Sequence, residues 1–156
     1  MHETPRAPPR VPPLVLLVVA MVLAWLATRA WPAGTWSMPG RTGIALLLAT
    51  AGAAVAIAGV AAFRRARTTV DPRHPHRARR LVRTGIYRHT RNPMYLGFAL
   101  IQAGWVAWLG HVGGLMVLVG FVVYLDVAQV EVEEEALRKR FGRAFDAYAS
   151  RVGRWL

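Results

Sequence analysis

Apolar residues in this chain fall into long uninterrupted blocks, and charged residues fall into separate blocks between them. A soluble domain would show its apolar positions as periodic stripes; segregation of this kind is the pattern of membrane-spanning helices. Four apolar blocks stand out. Residues 14–30 are interrupted only by Thr28 and Arg29, 42–63 carry no charge, and 93–109 and 113–130 complete the set. At ~1.5 Å rise per residue, the first two reach across a hydrocarbon core of about 30 Å, the first only just. The expected fold is therefore all-α: an integral membrane protein of four transmembrane helices with a C-terminal cytoplasmic amphipathic helix.

The spans differ in character. The second is crowded with alanine and glycine, including Gly52 and Gly59. Small residues let helix backbones approach closely, which predicts a packed inner helix. Pro93 suits the first turn of the third span, where a missing N–H costs nothing. The glycine-rich turn at 110–114 joins the third and fourth spans as an antiparallel hairpin over 93–130. Beyond it, Leu137, Phe141, Phe145, Tyr148 and Val152 recur at helical spacing among charges, predicting one amphipathic helix over 131–150. Residues 1–13, with five prolines, read as a disordered tail. The apolar run behind that tail continues to Trp31 without a small-residue cleavage site, so it reads as a retained span rather than a cleaved signal. The chain thus divides into the tail (1–13), two N-terminal spans (14–63) and a region over 64–156 that holds the candidate chemistry.

Charge sets the orientation. Residues 64–92 carry ten arginines against one acid, Asp71, whereas the connection after the first span carries only Arg41. The positive-inside rule then places both termini and the Arg-rich loop in the cytoplasm, with Trp31, Trp36, Trp105 and Trp108 near the outer interface. The formal net charge of +12 sits beside apolar spans, where anionic lipid is the nearer partner than nucleic acid. There is no cysteine, which excludes disulfides, thiolate metal sites and a cysteine nucleophile. His74 and His76 lack nearby carboxylates, so no metal site is expected, and His111 is placed in an outer turn away from chemistry. Oligomeric state is left open.

Two segments could carry chemistry, and both fall on the side assigned to the cytoplasm. The first is LVRTGIYRHTRNPMYLG, residues 81–97. Gly85 suits a positive φ. Asn92 is a good helix cap, with free N–H groups behind it for an anion and the Arg91 fork beside them. An ordinary basic loop facing lipid accounts equally for this spacing. The second is EVEEEALRKRFGRAFDAY, residues 131–148, with four glutamates in five positions. Helical geometry puts Glu131, Glu134 and Glu135 on one face and turns Glu133 elsewhere. So many like charges need compensation, for which the Arg-rich loop is the obvious source. A salt-bridge network and a ligand-binding carboxylate both remain open on this pattern.

Together the segments resemble the isoprenylcysteine carboxyl methyltransferases and related phospholipid methyltransferases. The shared pattern is G-x-Y-x-x-x-R-[HN]-P-x-Y-x-G, met here by Gly85, Tyr87, Arg91, Asn92, Pro93, Tyr95 and Gly97. A second motif follows across a hairpin, met by Glu133, Glu134, Leu137, Phe141, Gly142, Phe145 and Tyr148. The upstream TTVDP at 68–72 is also similar. The resemblance implies S-adenosylmethionine as methyl donor and a lipophilic, lipid-like or isoprenoid acceptor drawn from the membrane lipids. It implies a donor site formed by Val82, Gly85, Tyr87, His89, Pro93, Tyr95, Glu133 and Glu134. Arg91, Asn92 and Glu134 become the candidate catalytic residues, with Arg154 a further candidate for orienting substrate. Asn92 stands where many eukaryotic members carry histidine, and asparagine is no general base. Two other readings stand beside this one. One is a non-catalytic protein whose Arg-rich loop binds anionic lipid or a partner; the other is a reductase-like membrane enzyme using a nicotinamide cofactor, for which no dinucleotide motif is present.

Overall fold

The computed structural model describes residues 11–66 and 81–156. The tail over 1–10 and most of the cationic connector, with TTVDP, His74 and His76, lie outside them. Among the described residues the structure is helical, with six α-helices: α1 (Pro13–Ala30), α2 (Arg41–Arg65), α3 (Pro93–Leu109), α4 (Val112–Tyr124), α5 (Glu131–Phe141) and α6 (Arg143–Ala149). A π-helical stretch, Leu125–Val130, joins α4 to α5 without a break. Three helical stretches are long and apolar enough to cross a membrane: Pro13–Ala30, Arg41–Arg65 and Val112–Phe141. The helix expected as the third span, α3, has 17 residues and falls short of that length. It nevertheless runs among α1, α2 and α4 and packs against all three.

The closest packing is between α2 and α3. A Cβ added to Gly97 would lie 2.5 Å from the Gly52 carbonyl oxygen, and one added to Gly104 would lie 2.7 Å from that of Ala45. Lipid tails are as apolar as leucine, so helices in a bilayer gain little from burying leucines against each other; close backbone contact between small residues serves instead. Gly59 abuts Pro93 and Met94 in the same seam. The expectation of an inner helix is met on one face only. Leu46, Leu47 and Ile57, off that seam, are exposed. A second seam joins α1, α3 and α4 through Leu17, Ala20, Tyr95, Phe121 and Leu125.

At the end of the bundle away from the charged segments, the α1–α2 connection is fastened to the α3–α4 turn. The buried His111 accepts from the Gly113 N–H at Nδ1 (3.0 Å) and places Nε2 2.7 Å from the Trp31 carbonyl. Acceptance at Nδ1 fixes the tautomer that donates from Nε2. The Trp36 N–H adds a bond to the Gly110 carbonyl at 2.8 Å.

The single C-terminal helix expected over 131–150 is two. Gly142 adopts φ 50°, ψ −128° between α5 and α6, a conformation closed to side chains with a Cβ. The turn folds α6 back so that Phe145 and Tyr148 are buried.

Candidate active site

The site forms where the start of α3 meets α5, α6 and the segment after α6. Gly85 takes φ +64° and opens a short 3-10 turn, Gly85–Arg88, that buries Tyr87. From there the chain enters α3 through Arg91 and Asn92, and both side chains reach across to the C-terminal segment.

Arg91 Nε donates to Glu134 Oε1 at 2.8 Å, and its Nη1 donates to the carbonyls of Ala149 (2.9 Å) and Val152 (2.7 Å). Its backbone N–H donates to the Gly153 carbonyl at 3.0 Å. One side chain thus neutralises a buried glutamate and satisfies carbonyls at the end of α6, where a cation is favoured. The second oxygen of Glu134 accepts from Arg154 Nη2 at 3.1 Å, and Arg154 Nη1 donates to Asp126 Oδ2 at 3.0 Å. The result is an alternating chain of charges, Arg91–Glu134–Arg154–Asp126. The Trp155 indole N–H adds a bond to Asp126 Oδ1 at 2.9 Å.

Asn92 does not serve as the helix cap expected of it. Its Nδ2 donates to the Arg154 carbonyl at 3.1 Å, while its own backbone N–H is received by the Thr90 hydroxyl at 3.1 Å. The distant carbonyl competes successfully because it is held in place by the rest of the network. The side-chain cap that would have framed an anion site is therefore not formed.

Above this network lies a cavity of about 70 Å³. Its polar lining comes from Tyr87, Arg91, Asn92, Tyr95, Glu133 and Glu134, and its apolar lining includes Phe63, Val82, Leu137 and Phe145. The Tyr95 hydroxyl donates to Glu133 Oε1. The Tyr148 hydroxyl donates to the Tyr87 carbonyl at 2.7 Å, and the Phe63 ring meets Tyr87 edge-on at 5.3 Å. Burial first, then the neighbouring Tyr148 and Glu133, holds the Tyr87 phenol far above its ordinary pKa. Tyr148 is pushed up to about 12, chiefly by burial. Both phenols stay protonated at neutral pH, so they are donors and not bases.

The structure therefore brings Val82, Tyr87, Arg91, Asn92, Tyr95, Glu133 and Glu134 to one cavity. Gly85 and His89 are exposed and lie outside its lining, and Pro93 is buried behind it against Gly59. The glutamates do not divide as helical spacing suggested. Glu133 and Glu134, neighbours about 100° apart on the helix, both face the cavity, while Glu135 pairs with Lys139 on the exposed side. Asp126 was not foreseen, although its signal is plain. It is the sole charged residue between positions 93 and 130, and an ionisable group within an apolar span marks a functional or structural centre. Among the described residues, no three His, Asp or Glu side chains converge as metal ligands do.

Fold and site define a helical membrane protein with a charged, aromatic cavity at one end of the bundle. Residues 41–144, more than half of the chain, match the phospholipid methyltransferase family. The chain belongs to that family of membrane methyltransferases. A 63-residue stretch covering 40% of the chain is also 33% identical to an uncharacterized protein of Haemophilus influenzae, over the whole of that relative. No solved structure matches.

Proposed function

We propose that this protein transfers a methyl group from S-adenosylmethionine to a lipophilic acceptor at the cytoplasmic face of the membrane. The observation that carries the reading is the meeting of the two motif segments, Arg91 on Glu134 at 2.8 Å, beneath a cavity lined by both. On this reading α3 is a fourth, short span embedded by its neighbours. The arginine asymmetry supports a cytoplasmic site end with both termini on the same side.

The donor set suits the methyl donor. Two carboxylates beside aromatic faces complement a sulfonium and an ammonium. Glu133, which meets the Tyr95 hydroxyl in the cavity lining, is the carboxylate assigned to the donor's cationic groups, with Val82 and Tyr87 against its adenosyl part. The cavity, at about 70 Å³, is smaller than the roughly 300 Å³ at which small-molecule pockets begin, so binding must part its walls. When bound, S-adenosylmethionine supplies an electrophilic methyl group on sulfur. The chain contributes alignment and exclusion of water: the apolar walls keep the site dry, and the Arg91–Glu134 pair fixes the floor. An anionic acceptor needs no base. An amine acceptor would deliver its proton to Glu133, since Asn92 and the protonated phenols cannot take it.

The test is calorimetric titration of the protein in lipid nanodiscs with S-adenosylmethionine, and separately with a nicotinamide cofactor. Saturable binding of the first, weakened by Glu133→Gln at unchanged thermal stability, supports the reading. Absence of binding in lipid overturns it.

A further inference from the structure

The cavity of about 70 Å³ must grow roughly fourfold to reach the size at which small-molecule pockets begin, and its helical walls differ in how they are held. The α3 wall is pinned, because α2 and α3 meet backbone against backbone at Gly52 and Gly97. The α5 wall continues without a break from α4. The segment after α6 is tied to Asp126 through Arg154 and Trp155. By contrast α6 is only seven residues long, yet it places Phe145 and Tyr148 in the lining. It starts at Gly142, whose φ 50°, ψ −128° is open to glycine alone, and a second glycine, Gly153, follows it. Element-terminal residues of this kind absorb the backbone change of a hinge. Three side-chain bonds fasten α6. The Tyr148 hydroxyl donates to the Tyr87 carbonyl at 2.7 Å, Arg91 donates to the Ala149 carbonyl at 2.9 Å, and the exposed Arg138 pairs with Asp146 at 2.9 Å.

We propose that α6 is the flap of this site. It swings on Gly142, carries Phe145 and Tyr148 out of the lining to admit the methyl donor, and recloses with the Tyr148–Tyr87 bond as its latch. The identity of the ligand rests on the methyltransferase reading; the motion rests on the geometry alone. Opening leaves the floor intact, since Arg91 gives up only the Ala149 carbonyl and keeps Glu134 and the Val152 carbonyl. The two aromatic side chains that unblock the cavity are also those that exclude water from it once shut.

The chain has no cysteine, so Arg138→Cys with Asp146→Cys, both exposed and outside the lining, can be joined by a short bismaleimide that fixes α6 to α5. In lipid nanodiscs, joining before titration should abolish S-adenosylmethionine binding, and joining after loading should trap the ligand through dialysis. Capping both thiols with N-ethylmaleimide should do neither. Amide hydrogen exchange reads the motion without ligand, because so short a helix does not protect its own amides once undocked. Residues 143–149 should exchange ahead of 131–141, and the link should suppress this. Tyr148→Phe should speed it about fivefold, the population change one hydrogen bond makes. Joined protein that binds like the capped control, or exchange over 143–149 that neither the link nor Tyr148→Phe alters, overturns the flap. Exchange sensitive to link and latch, in unaltered protein that fails to bind S-adenosylmethionine, overturns instead the methyltransferase reading.

Discussion

Asp126, in the π-helical stretch, binds Arg154 at 3.0 Å, and Arg154 in turn reaches Glu134 at 3.1 Å. An acid embedded in an apolar span thereby anchors the segment that closes the site. Arg154 is about a third exposed, so the ion pair alone is worth up to about 1 kcal/mol. Asp126→Asn keeps an acceptor for Trp155 and should lose only that. Asp126→Ala loses the indole bond as well, roughly 1 kcal/mol more. Thermal unfolding in detergent and trypsin cleavage at Arg151 and Arg154 should rank the variants in that order.

Glu134 is different because it is buried, with a side chain 7% exposed facing two guanidinium groups. Glu134→Ala leaves Arg91 without a carboxylate, while Arg154 keeps Asp126, and should cost about 3 kcal/mol. Replacing partners together, as in Arg91→Met with Glu134→Leu, should be milder for the ion pair, though it forfeits the Arg91 bonds to Ala149 and Val152. A double-mutant cycle on unfolding temperature measures the coupling, which should be well above that of the exposed Lys139–Glu135 pair.

Gly97 and Gly120 offer a paired test of packing. Gly97→Ala forces a methyl to 2.5 Å from the Gly52 carbonyl and should cost about 1–3 kcal/mol. Gly120→Ala meets nothing within 4 Å and should leave the unfolding temperature close to unchanged.

Tyr148 gives a pH dependence. Its phenol titrates at about 12 in the fold against 10.0 unperturbed. A raised folded value means its contribution is complete below pH 10 and is lost as pH rises through about 12. Stability should therefore fall in that alkaline window, less so in Tyr148→Phe. Tyrosinate absorbance followed against pH checks it.

Much of this architecture was legible in the sequence. The four apolar blocks lie within a few residues of helical stretches in the structure, three of which are long and apolar enough to cross a membrane. Gly52 and Gly59 announced close helix contact, and the motif residues Arg91 and Glu134 meet. The strap over the site was not legible, for a physical reason. It is held largely through the carbonyls of Ala149, Val152, Gly153 and Arg154, and every residue has a carbonyl. His111 lies in the turn away from the site, as read from the sequence, but its fastening role was hidden in the same way: its partners are the Trp31 carbonyl and the Gly113 amide, which leave no side-chain pattern to read.

The helix from Val112 to Phe141 passes through the π-helical stretch on its way from lipid to site. A wide turn of this kind accommodates about one residue more than an ordinary α-helix would. Deleting a residue from a regular helix swings everything beyond it by about 100°. Deleting Val127 should instead let the wide turn relax to an ordinary one, leaving Glu134 aimed at Arg91, whereas deleting Gly120 should carry it away. The two glutamates thus keep their aim through a phase correction written into the membrane-buried half of the same helix.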